Sequence, residues 1–133
     1  MISNQPKKVF LIEDNRTEGM LLKLSLGSIE NIAVTSFING KDLLDNLSQN
    51  PDIVIADLML PDIDGYDLIK LIRNYNKNIR IIVVSAQKDI ELIAKIQEQG
   101  VFNYLVKSEA CIQYLQQVIE ELIIVMKSKQ KNS

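Results

Sequence analysis

The chain has 133 residues, is 47% apolar and carries a formal charge of -2, with an isoelectric point near 5.2. It is long enough to bury one core and too short for two domains of ordinary size, and its weakly acidic balance offers no general basic surface for nucleic acid. It contains no histidine, which excludes the Ser-His-Asp triad, the Cys-His pair, His-containing zinc sites and any phosphohistidine carried by the chain itself.

The first apolar run lies in "KVFLI", where Val9 to Ile12 end at Glu13. That is far too short for a signal peptide's apolar region, and no other stretch approaches the roughly 20 residues of a membrane span. It reads as a strand. "AVTSFI", "DIVIADL", "RIIVVSA" and "FNYLVK" are the next strand candidates. Apolar residues at helical spacing fill the segments near 15–27, 40–49, 65–75, 88–99 and 109–127. Helix signals agree with these limits. Asn15 with Glu18 and Asn39 with Asp42 have the chemistry of an N-cap and its third position, Ser108 can cap the last helix, and Gly100 closes the fourth.

"DIVIADL" and "RIIVVSA" show no apolar-polar alternation, which fits strands of a parallel sheet covered on both faces. With right-handed crossovers, the repeated strand-helix order predicts a three-layer, doubly wound α/β sandwich on a five-stranded parallel sheet. The expectation is a single domain over residues 1–133, with its core over about 7–127 and a basic, solvated tail at 128–133. A cytoplasmic protein without a membrane segment is expected, with the single cysteine, Cys111, as a buried thiol.

In a parallel α/β sheet the carboxyl ends of the strands share one edge, where ligands bind. That edge would receive Glu13 and Asp14 after the first strand, Asp57 after the third, Ser85 after the fourth and Lys107 after the fifth. Two carboxylates about 4 Å apart repel by roughly 4 kcal/mol at an effective dielectric near 20, so a positive group is expected among them. Magnesium is the economical candidate, since it takes carboxylate and carbonyl oxygens and binds best where a phosphate completes its shell. Ser85 and Lys107 supply a hydroxyl and an ammonium suited to phosphoryl oxygens, and Asp57 is left as a nucleophile.

"LIED", "VIADLMLPDIDGYDLI", "IIVVSA" and "NYLVK", in this order, resemble the receiver domain of bacterial two-component response regulators over nearly the whole chain. The resemblance implies a flavodoxin-like receiver fold with strand order 2-1-3-4-5. It also implies that Asp57 accepts a phosphoryl group from a phosphohistidine on a histidine kinase or histidine phosphotransfer protein. On the same ground Asp14, Asp57 and the Met59 carbonyl would bind Mg2+, with Glu13 acting through a water. Ser85 and Lys107 would contact the phosphoryl oxygens, and Tyr104 would be the aromatic switch. Met59 and Gln87, two residues beyond Asp57 and Ser85, are expected to flank the water that hydrolyses the phosphoaspartate. Pro61 and Gly65 are suited to turn the chain away from the edge.

Three positions depart from the family pattern. Glu13 replaces the commoner aspartate, Ser85 replaces threonine, and Ser108 follows Lys107 where proline is usual. A cis bond before Ser108 would cost about 2.5 to 4 kcal/mol, leaving a trans loop or a strained bond as the two readings. A haloacid-dehalogenase-type phosphatase is disfavoured, since its second aspartate would fall at Met59. The same motifs would also suit a receiver excised from a longer regulator, whereas the complete set of Glu13, Asp14, Asp57, Ser85 and Lys107 argues against a binding module that has lost phosphorylation. No direct DNA binding is expected.

In the last helix, Cys111, Leu115, Val118, Leu122 and Val125 recur at the spacing of a buried face. Beside them Ile112, Ile119, Ile123 and Met126 form a second apolar stripe. It is expected to belong to a partner or homodimer surface shared with the fourth helix and fifth strand.

Overall fold

The computed structural model describes residues 5–131. Five strand-helix units follow in order: β1 (Lys7–Ile12), α1 (Arg16–Leu26), β2 (Ile32–Phe37), α2 (Gly40–Asp45), β3 (Ile53–Ala56), α3 (Gly65–Tyr75), β4 (Arg80–Ser85), α4 (Ile90–Glu98), β5 (Asn103–Val106) and α5 (Cys111–Lys131). A short 3-10 turn at Leu47–Gln49 follows α2, so the helix expected over 40–49 is divided at Asn46. The sheet is parallel with order β2-β1-β3-β4-β5, as the family resemblance implies.

Both faces of the sheet are covered, which explains the lack of alternation in its central strands. On one face Val9, Leu11, Ile53, Ile55, Ile82 and Val84 meet Leu22 and Leu26 of α1 and the inner face of α5. On the other, Phe10, Ile12, Val54, Ala56, Ile81 and Val83 pack against Leu43, Leu68, Ile69, Ile72 and Ile96 from α2, α3 and α4. Each fully buried Val, Leu, Ile or Phe contributes about 1.5–3 kcal/mol.

Apart from Ser108, which was expected to cap the last helix and does not, the local signals act where the sequence puts them. Asn15 Oδ1 accepts from the Glu18 N–H at 3.0 Å, and Asn39 Oδ1 from the Asp42 N–H at 2.8 Å. Gly100 takes φ +81° just beyond α4, a left-handed conformation that costs glycine little. Ser108 precedes a turn, and its backbone carbonyl accepts from the Cys111 N–H at 3.1 Å. The last helix thus opens two residues later than expected. No cis peptide bond occurs among the described residues, so Lys107–Ser108 is trans.

Three expectations for α5 are corrected. Its helix continues to Lys131, into the segment expected to be a tail; Asn132 and Ser133 lie outside the described residues. The supposed partner stripe is core: Ile119 is 0% and Ile123 6% exposed, while Ile112 and Met126 are partly buried against the same cluster. Val125, expected inside, is 42% exposed. The reason is that α5 meets the sheet and α1 together, so its buried face is wider than one stripe and turned away from Val125. Gln116 fastens this contact by donating from Nε2 to the Ser25 carbonyl at 2.8 Å.

Candidate phosphoryl and metal site

Strand register brings the site together. Ile12 pairs with Ala56, and Ala56 with Val83, so Glu13 and Asp57 leave adjacent strands side by side. The Asp57 N–H donates to the Ile12 carbonyl at 3.0 Å, extending the ladder to the site's threshold. The buried polar or charged residues among those described are Glu13, Asp57 and Ser85, and all three lie at this edge.

Carboxylate oxygens of Glu13, Asp14 and Asp57 lie within 4.8 Å of one another. Asp14 is exposed, whereas Glu13 and Asp57 are 4% and 5% exposed. The set is all oxygen and approachable from the Asp14 side, the donor chemistry of a hard divalent cation. Asp14 also lines a groove with the loop from Leu58 to Asp64.

Lys107 supplies the positive charge that the crowded carboxylates require. Its Nζ donates to Glu13 Oε2 and Asp57 Oδ2, both at 3.0 Å, and to Glu18 Oε2 at 2.7 Å. Burial opposes the charge on Lys107, but Glu18, Glu13 and Asp57 outweigh it and raise its pKa. Burial pushes Glu13 up to about 7; Asp57 adds to the rise and the Lys107 hydrogen bond offsets part of it. A protonated Glu13 eases the repulsion in the metal-free cluster.

The remaining expected residues are close by. Asp57 Oδ1 accepts from the Met59 N–H at 3.1 Å, and the Lys107 N–H donates to the Ser85 carbonyl at 2.9 Å. Ser85 Oγ accepts from the Gln87 N–H at 3.2 Å. Gln87 Nε2 reaches Met59 Sδ at 3.4 Å, so these two side chains bridge β3's loop and β4's loop. The half-buried Tyr104 donates its hydroxyl to the Gln87 carbonyl at 2.9 Å, and burial raises its pKa.

The loop after Asp57 is held by a contact that sequence reasoning missed. Asp62 accepts from the N–H groups of Gly40 and Lys41, each at 2.8 Å, tying the loop to the start of α2 and holding the Asp62 pKa low. Gly65 completes the turn at close quarters: a Cβ there would lie 2.5 Å from Leu58 Cα. Glu18 was the other omission, read only as part of a helix cap. Nothing in the local sequence signals its pairing with a lysine 89 residues away.

The response regulator receiver domain family matches residues 9–120, and the chain belongs to that family. It is 32% identical to the transcriptional regulatory protein CusR of Escherichia coli over 84% of this chain and 49% of that protein. The DNA-binding transcriptional regulator NtrC of Proteus hauseri is 28% identical over 77% of this chain and 22% of its own length. The chain thus spans half or less of these relatives. The BeF3-activated receiver domain of DrrB, a Thermotoga maritima protein, superposes with a TM-score of 0.81 at 22% identity, covering 90% of this chain and 98% of that one. This last likeness concerns the fold alone. No helix among the described residues is long and apolar enough to cross a membrane.

Proposed function

From its membership of the receiver family, we propose that this chain is a magnesium-dependent phosphoacceptor, with Asp57 taking a phosphoryl group from a phosphohistidine on a histidine kinase or histidine phosphotransfer protein. The observation that carries this reading is the Lys107 ammonium, 3.0 Å from both the buried Asp57 and the buried Glu13 at the carboxyl edge of the sheet. An Asp57 carboxylate oxygen forms the new bond to phosphorus as the bond from phosphorus to the imidazole nitrogen breaks. The bonding pair returns to the imidazole.

Asp14, Asp57 and the Met59 carbonyl would hold Mg2+, with Glu13 acting through a water. The ion would supply positive charge to the phosphoryl oxygens. Lys107 and the Ser85 hydroxyl bind and orient those oxygens, and the Met59 N–H steadies the other Asp57 oxygen. Met59 and Gln87, already in contact, border the approach of a hydrolytic water and so govern the lifetime of the phosphoaspartate.

Tyr104 of β5 is hydrogen-bonded to the Gln87 carbonyl in the loop after Ser85 and is the residue through which occupancy of Asp57 reaches α4 and β5, the surface for a downstream partner. The buried Ile119 and Ile123 are no part of that surface. The chain acts in the cytoplasm as one receiver unit, alone or within a longer regulator of the kind its relatives' lengths illustrate.

Intact mass measurement tests the acceptor. With Mg2+ and acetyl phosphate, the wild type is expected to gain one acid-stable, base-labile phosphoryl group, and Asp57→Asn none. A wild type left unmodified by several donors and a cognate kinase, or a variant modified equally, would overturn the assignment.

A further inference from the structure

Glu18 occupies the third helical position of α1, where a glutamate commonly turns back to the N–H of the capping residue. That N–H is already taken: Asn15 donates to Glu13 Oε1 at 3.2 Å. Glu13 thus serves the cap as well as the carboxylate cluster, and Glu18 is released from the cap. Its Oε2 reaches Lys107 Nζ at 2.7 Å, closer than the 3.0 Å of Glu13 and Asp57.

We infer, resting on the phosphoacceptor reading, that Glu18 is a positioning residue that holds the Lys107 ammonium on the α1 side of the rim and restrains occupancy of Asp57 by a phosphoryl group. An ammonium has three N–H donors, and here Glu13, Glu18 and Asp57 take one each. A phosphoryl group on Asp57 inherits the N–H that Asp57 now receives, and any second donor it takes from the same ammonium must come from Glu13 or Glu18. The Glu18 side chain is 47% exposed and that of Glu13 only 2%, so Glu18 is the partner that water can replace at least cost. While bound, it competes for the lysine. Its charge, one ammonium away from Asp57, also repels the incoming anion.

The consequence is specific to this pair. Removing the Glu18 charge should favour the phosphoryl-bearing state, and should do so chiefly through Lys107. The probe is beryllium fluoride, a non-covalent stand-in for the phosphoryl group, titrated in the presence of Mg2+ into the full chain. Glu18→Gln is expected to tighten binding by about two- to fivefold, the range of a partly exposed ion pair. Glu18→Asp keeps the charge but loses one methylene of reach, and is expected to fall between Gln and wild type. In a Lys107→Ala background the effect of Glu18→Gln should largely vanish.

An unchanged or weaker affinity in Glu18→Gln overturns the proposal, as does an equal effect with and without Lys107. The same titration on the wild type separates the two readings: no binding there, together with no phosphoryl gain by mass, removes the phosphoacceptor assignment and this inference with it. Glu18→Gln should retain wild-type thermal stability, because the Asn15 side chain still caps the Glu18 N–H.

Discussion

Along β1, Val9 to Ile12 are apolar and at most 1% exposed; one residue on, Glu13 is 4% exposed and carries a carboxylate. Ile53 to Ala56 of β3 are completely buried, and Asp57 follows at 5%. The same strands therefore build two regions of opposite character. In the interior every side chain gains from leaving water, whereas at the edge burial works against charge and only pairing offsets it. The interior supplies the rigidity and the edge spends some of it, which is the usual relation between a scaffold and a reactive site.

The largest effect that tests this contrast comes from the interior. Ile55→Ala should lower unfolding free energy by about 2–5 kcal/mol through lost burial and a cavity, measured by urea denaturation. A cost below about 1 kcal/mol would mean that the central strand is looser than its burial indicates.

The edge should respond to pH with the opposite sign to ordinary carboxylates. Because the folded-state pKa of Glu13 is raised from its ordinary 4.5 to about 7, the fold retains this proton where the unfolded chain has released it. Its contribution is full below 4.5 and is lost as pH rises through 7. Metal-free protein should lose on the order of 1–3 kcal/mol over that window, and Glu13→Gln should lack this component. Denaturation at several pH values checks both.

Gly65 lies where the two regions join. Gly65→Ala forces a Cβ against the Leu58 backbone, and overpacking of this kind costs about 1–3 kcal/mol. Because the strain falls on the loop after Asp57, Mg2+ affinity should weaken with stability. Unchanged affinity in a destabilised variant would uncouple the loop from the site.

The smallest expected effect is a gain. Asp57→Asn removes one charge from the carboxylate cluster while retaining its shape, and should stabilise the metal-free protein by about 1 kcal/mol. Thermal unfolding without Mg2+ measures it, and a loss would mean that Lys107 contributes more to Asp57 than the neighbouring carboxylates take away.

The positions of Glu13, Asp57, Ser85 and Lys107 were legible because a parallel sheet gathers strand ends on one edge whatever the details of packing. Asn15, Asn39 and Gly100 were legible because caps depend on a few neighbouring residues. The partner stripe on α5 was misread for the converse reason. Periodicity reports that Ile119 and Ile123 share a flank of the helix, but the width of the buried face depends on what packs there, and α1 packs there with the sheet. Asp62 was silent because it lies in a loop, and its partners, Gly40 and Lys41, open a helix 22 and 21 residues earlier.

By itself the sequence determined the order of elements, the parallel sheet covered on both faces and the edge at which chemistry collects, since hydrophobic periodicity and capping are local. The tertiary structure alone decided how the charges pair. Lys107 is separated by 94 residues from Glu13, by 89 from Glu18 and by 50 from Asp57, and only the closed sheet brings them within reach of one ammonium. It likewise turned a helix-capping glutamate toward that lysine, because Glu13 had already taken the Asn15 N–H. Such competition for one donor exists only after folding.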